Sequence, residues 1–195
     1  TLQTLTDGVQ PLIDYSAGAD GAPAAWPGGS EQYYVVQSLG TTSLELHLSE
    51  CAASSDWPIA DAAAICADLL AALAQVHAQG FAHMDVKPAN LVRSQSCTWR
   101  LIDTDSCRPL GSTMSKHERW ELTDRFCPPE VAWRLLNDAT SLSRLANARD
   151  EEERLAVAQA ILQEQSAGDL IVREAYDLWC AGATLVSVVA LAPNC

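Results

Sequence analysis

The sequence predicts an α+β fold, mostly helical, with a small partial sheet near its start. Three observations carry this. Two aromatic and β-branched stretches, residues 9–15 (VQPLIDY) and 33–37 (YYVVQ), stand in the first forty positions, and such residues suit a pleated, half-buried surface. Residues 58–79 are rich in Ala and Leu, with Ile65, Leu69, Leu73 and Val76 at helical spacing, the stripe of a helix with one face inside. A second stretch, 185–191, is almost wholly apolar and reads as a buried helix. At 195 residues, 48% hydrophobic and 19% charged, the chain has the length and composition of one globular domain with a sizeable core.

Taken in order, 9–15 is a short strand ended by turn formers. The run 16–30, SAGADGAPAAWPGGS, is a loop by its Gly, Ala and Pro content. Residues 33–37 form the next strand and 38–42 a bend, after which Ser43-Leu44-Glu45-Leu46 opens a short helix with Ser43 as its cap. Pro58 suits the first turn of the long helix and Gly80 its stop. Leu91-Val92 and residues 99–102 are two short strands around a turn at 94–98. Residues 131–137 read as a short helix and 141–165 as one or two more, with Asp150-Glu151-Glu152-Glu153 as a solvated face.

A net charge of −13 argues against a nucleic-acid partner, since such binding runs on basic patches, and mildly favours basic ones. The seven cysteines are odd in number and scattered, with no C-x-x-C pair, which indicates neither a disulfide framework nor a zinc site. Free thiols point to a reducing, intracellular setting, cytoplasmic or nuclear. There is no signal peptide, and no apolar run reads as long enough to span a bilayer, so no membrane partner is expected. The chain lacks an initiating Met and stops in apolar sequence, so it reads as a fragment.

The chemistry is concentrated in His83-Met84-Asp85-Val86-Lys87-Pro88-Ala89-Asn90, with Leu101-Ile102 delivering Asp103 at a strand end. Phosphoryl transfer needs a carboxylate to orient the attacking hydroxyl, a cation near the transferring phosphate, and oxygen ligands for magnesium. Asp85, Lys87, Asn90 and Asp103 supply all of these. A turn-forming Asp or a capping Asn explains each residue singly, and explains the set poorly.

This pattern resembles the eukaryotic protein kinases, whose catalytic loop reads H-R-D-L-x-x-x-N and whose metal-binding Asp opens D-F-G. The resemblance implies a kinase-like fold, with a partial small lobe and hinge over 1–39 and most of a helical large lobe over 40–195. It makes Asp85 the carboxylate that orients the acceptor hydroxyl, Lys87 the neutralising cation, and Asn90 and Asp103 the magnesium ligands, with ATP and Mg2+ as cofactors. Val36 would stand at the back of the adenine pocket, with Gln37, Ser38 and Leu39 as hinge and Val92 as floor. His83 would be a packing and orienting residue. Residues 107–126 would be the activation segment, ending in Cys127-Pro128-Pro129-Glu130, which is similar to the family's A-P-E. Thr123, seven before Glu130, falls where Ser/Thr-specific kinases carry a Thr bonded to the catalytic Asp and Lys, so the implied substrate is a protein with a Ser or Thr acceptor. Residues 138–170 would be an insertion, for which the sequence names no partner. Asp177-Leu178-Trp179-Cys180-Ala181-Gly182 is similar to the family's D-x-W-x-x-G, whose Asp bonds the backbone of the catalytic loop.

Two motifs depart from the family. D-F-G is Asp103-Thr104-Asp105, without the aromatic ring or the glycine; in an extended segment Asp105 would share a face with Asp103. H-R-D is His83-Met84-Asp85, and Met cannot pair with a phosphate as Arg does. There is also no G-x-G-x-x-G, no V-A-I-K-like strand and no partner Glu in residues 1–57. Two alternatives therefore stand beside the kinase reading: a pseudokinase acting as a binding module, and a small-molecule phosphotransferase. Lys87, the P-P-E segment and D-x-W-x-x-G speak for the protein kinases. Without a covering loop and strand Lys, the chain alone is expected to bind Mg-ATP weakly and to transfer no phosphate.

Overall fold

In the computed structural model the described residues are 8–16, 35–54, 59–114, 124–129, 131–132, 139–164 and 170–190. They divide into two units, each built from two stretches of chain: Thr1–Gln79 with Pro88–Ile102, and Gly80–Lys87 with Asp103–Cys195. Short sheets and longer helices make the fold α+β.

In the first unit an antiparallel ribbon joins β1 (Leu12–Tyr15) to β2 (Val35–Gln37), with a register shift between Leu12 and Asp14. A three-stranded antiparallel sheet follows, in the order β3 (Thr42–Ser43), β5 (Leu91–Arg93), β6 (Trp99–Leu101). The expected bend over 38–42 thus ends in a strand. Thr42 and Ser43 acquire it by pairing with Arg93 and Val92, a long-range contact that local propensity does not encode. Ser43 caps as expected, its Oγ accepting the Leu46 N–H at 3.2 Å, and α1 (Leu44–Ser54) begins there. The long helix α2 (Ile59–Ala78) buries Ile65, Leu69, Leu73 and Val76 and packs on β6. It stops at Gly80, whose φ of 81° is the left-handed conformation that ends helices.

One expectation needs correcting here. By length and composition Asp61–Ala78, with a mean hydropathy of 1.3, is sufficient to cross a bilayer. Its alanines raise the hydropathy without forming a visibly apolar run, and its larger apolar side chains are mostly turned inward.

In the second unit β4 (Phe81–Ala82) pairs with β7 (Arg108–Pro109), and β8 (Thr113–Met114) with β9 (Leu170–Ile171). The expected helices of 141–165 are α3 (Ala139–Ala146) and α4 (Glu151–Glu164), which pack on each other. The acidic run is more than a solvated face. Asp150 Oδ1 accepts the Glu153 N–H at 2.8 Å, and Glu151, Glu152 and Glu153 fill the first turn of α4, where negative charge suits the helix dipole. The last helix, α5 (Glu174–Ala190), buries Tyr176, Asp177, Cys180, Ala181, Thr184 and Val188. Val186 and Val189 are exposed, so the expected buried helix has one side inside and one side out.

Candidate functional site

The loop after β4 is held from α5. Asp177, fully buried, accepts the His83 N–H on Oδ2 at 2.7 Å and the Met84 N–H on Oδ1 at 2.8 Å. Bonds from backbone N–H groups to an ionised carboxylate are among the strong ones, and here they fix a conformation that would otherwise be costly. Met84 has φ 69°, left-handed for a residue with a long side chain, at about 1–2 kcal/mol. Its side chain is buried, so the position of the family's Arg belongs to the core. His83 is buried as well, and its Nδ1 accepts the Asp85 N–H at 3.4 Å, which gives the ring an orienting part. Lys87 Nζ then lies 2.7 Å from Asp85 Oδ2, with Asp85 8% exposed and Lys87 25%. The structure brings these two predicted residues together.

Past β6 the chain reaches Asp103, at φ 61° and ψ 67°, followed by a 3-10 turn over Thr104–Ser106. The segment is not extended, because the Cys107 N–H closes the turn on the Thr104 carbonyl at 3.1 Å, so the condition for Asp105 to share a face with Asp103 is not met. Asp103 and Asp105 are both exposed and Ser106 is buried. Asp103 caps the turn without a side-chain bond, which leaves an open carboxylate, the hard oxygen donor that magnesium takes. The Cys107 thiol is pushed up to about 12, first by burial and then by the Asp177 carboxylate, with Asp103 and Asp105 adding to it. A thiol so raised is inert at neutral pH.

In the first unit the predicted hinge runs directly into the predicted floor. A Cβ placed on Gly40 would lie 2.9 Å from Val92 Cβ, closer than real side chains approach, so only glycine lets the turn after the hinge lie on Val92. Thr41 N–H donates to the Arg93 carbonyl at 2.7 Å, and Val92 sits between Ser43 of β3 and Arg100 of β6. Val36 is exposed on the ribbon, and Leu39 is 81% exposed. Asn90 is buried at the end of a 3-10 turn (Pro88–Asn90) that packs on α1 and β3, and its carbonyl accepts the Ile102 N–H at 3.0 Å.

A family model for the protein kinase domain matches residues 25–144. The chain belongs to the protein kinase domain family. No curated protein matches it. The matched stretch contains every predicted site residue, from Val36 through Asp103 to Thr123.

Of the predicted site residues of this protein kinase domain, Asp85, Lys87 and Asp103 lie in the second unit; the hinge, Asn90 and Val92 lie in the first. Thr123 and Glu130 lie outside the described residues. Among the described residues no group of three or more His, Cys, Asp or Glu is placed to hold a metal. Two supporting residues went unnoticed in the sequence. Asp68 on α2 accepts the Trp99 N–H at 2.8 Å, at the start of β6, and Cys180 Sγ on α5 donates to the Phe126 carbonyl at 3.1 Å. Both depend on tertiary approach, and nothing in the local sequence signals it.

Proposed function

We propose that the protein is a serine/threonine kinase that transfers the ATP γ-phosphate to a protein hydroxyl. The observation that carries this is the Asp85–Lys87 ion pair on a loop held by Asp177: a carboxylate fixed in place beside a partly open ammonium. Asp85 orients the acceptor hydroxyl and takes its proton as the oxygen–phosphorus bond forms and the bond to the leaving ADP breaks. Lys87 offsets the charge on the group in transit. Asn90 and Asp103 would each offer an oxygen ligand to magnesium, which would supply neutralisation of phosphate charge. Gln37 to Leu39 take the adenine edge over Val92, with Val36 behind, and Thr123 completes the Ser/Thr acceptor site.

We further place residues 1–39 in the small lobe and hinge and 40–195 in the large lobe, with 138–170 as an insertion. The setting we propose is intracellular, from the odd number and scattered spacing of the cysteines in the sequence. A pseudokinase is the second reading, favoured by the buried Met84 and by Thr104 in the turn after Asp103. Incubating the intact protein with γ-labelled ATP, magnesium and a basic protein substrate separates them. Label on serine or threonine after acid hydrolysis supports the kinase; ATP binding without transfer supports the pseudokinase.

A further inference from the structure

The segment just before β1 is wedged between the long helix, the end of β6 and the hinge. Gly8 N–H donates to Gln75 Oε1 at 3.2 Å, and a Cβ on Gly8 would lie 2.4 Å from Ala72 Cα, so the backbone there lies directly on α2. Leu101 N–H donates to the Gly8 carbonyl and Gln10 N–H to the Leu101 carbonyl, both at 2.9 Å. The hinge closes on the same segment. Ser38 N–H donates to the Pro11 carbonyl at 3.4 Å, and Gln10 Nε2 donates to the Ser38 carbonyl. Gln10 is only 4% exposed, and its Oε1 has no partner among the described residues. It precedes the stretch that matches the family.

We propose that Gln10 is a positioning residue that turns the hinge toward the nucleobase. The proposal rests on the nucleotide-binding reading above. In an extended stretch successive peptide groups point to opposite sides. With both backbone groups of Ser38 engaged by Pro11 and Gln10, the Gln37 carbonyl and the Leu39 N–H are directed the other way, to where an adenine edge would be read. Leu39, highly exposed, has no backbone partner among the described residues. The orphaned Oε1 argues against a space-filling role: a buried amide with half its bonding unmet is a costly filler, and an apolar side chain of similar length would avoid that cost. What only the amide supplies is the Nε2–H that holds the Ser38 carbonyl.

Gln10→Met in the intact protein removes that donor and the orphaned oxygen together while keeping the volume. Three measurements decide. Amide hydrogen exchange over 37–40, without nucleotide, should accelerate by about tenfold, the weight of one neutral hydrogen bond. Affinity for ATP should fall by a similar factor while affinity for inorganic tripolyphosphate, which has no base to read, stays the same. The thermal midpoint should hold or rise. Unchanged hinge exchange overturns the proposal, as does a parallel loss of both affinities together with a lower midpoint, which is what a merely structural Gln10 gives. If the wild-type protein does not bind ATP better than tripolyphosphate, the nucleotide reading fails by itself, and the exchange measurement still decides whether Gln10 positions Ser38.

Discussion

The loop over 83–87 and the turn over 103–106 each contain a left-handed residue that is not glycine, and they hold it in opposite ways. Met84 at φ 69° is buried, and a buried carboxylate grips its N–H and that of His83. Asp103 at φ 61° is exposed and its side chain makes no capping bond. Asp visits this conformation with little strain, whereas Met does so at a cost that its surroundings must offset. The proposed function would use the same contrast. A carboxylate proposed to orient a hydroxyl must keep its place before substrate arrives, and Asp85 follows directly on the clamped Met84. A carboxylate proposed to bind a hard cation must be exposed, and Asp103 is.

The largest effect should come from removing the clamp. Asp177→Ala leaves two buried N–H groups without acceptors, each costing about 1–3 kcal/mol, so urea unfolding should show a loss of about 2–6 kcal/mol. Asp177→Asn keeps one acceptor and should lose less. If Asp177→Ala costs no more than an exposed substitution, the loop needs no clamp and the contrast fails.

Next comes the response to alkali, which probes the buried groups around Asp177. Burial raises the Cys107 thiol from 9.0 to about 12 and raises Cys180 and Tyr176 as well. In each case the folded chain keeps a proton that the unfolded chain gives up. The stabilisation from Cys107 is therefore whole below pH 9 and is lost as pH rises toward 12, by up to about 1.4 kcal/mol per pH unit. Urea midpoints measured across this window should fall, and Cys107→Ser, which removes that thiol, should fall less steeply.

At the open turn the effect on stability should be small. Asp103→Asn keeps a residue that tolerates the left-handed conformation, so the unfolding free energy should shift by no more than about 0.5 kcal/mol, while magnesium-dependent nucleotide binding by the intact protein should disappear. A large loss of stability would mean that Asp103 supports the fold as Asp177 does. Smallest of all is Arg149→Ala. Arg149 holds Glu153 at 3.0 Å in an exposed pair and lowers its carboxyl through hydrogen bonds. Such pairs in water contribute little, so no change in the thermal midpoint should be resolved at pH 7.

The sequence was informative where a residue type has few alternative uses. Asp85 and Lys87 stand out by their spacing and Asp177 by the resemblance of its motif to D-x-W-x-x-G, and the structure joins the first two in an ion pair and ties the third to the loop. Gly80 and Ser43 behaved as stop and cap because their roles are local. What escaped notice depends on partners distant in the chain. Thr42 and Ser43 form a strand only against Val92 and Arg93. The turn after Asp103 is closed by Cys107, and nothing in Thr104-Asp105-Ser106 selects a 3-10 turn by itself. The Asp150–Glu153 run is surface, as its charge implies, and the capping bond from the Glu153 N–H to Asp150 Oδ1 depends on where α4 begins.

The central claim is that Asp85 orients the hydroxyl that attacks ATP, and single-turnover transfer by the intact protein tests it most directly. Asp85→Asn and wild type would be compared with γ-labelled ATP, magnesium and a basic protein substrate, with ATP affinity measured alongside. The expected result is transfer slowed by about 10²–10⁴-fold with ATP affinity within a few-fold of wild type. Transfer by Asp85→Asn at the wild-type rate would contradict the account.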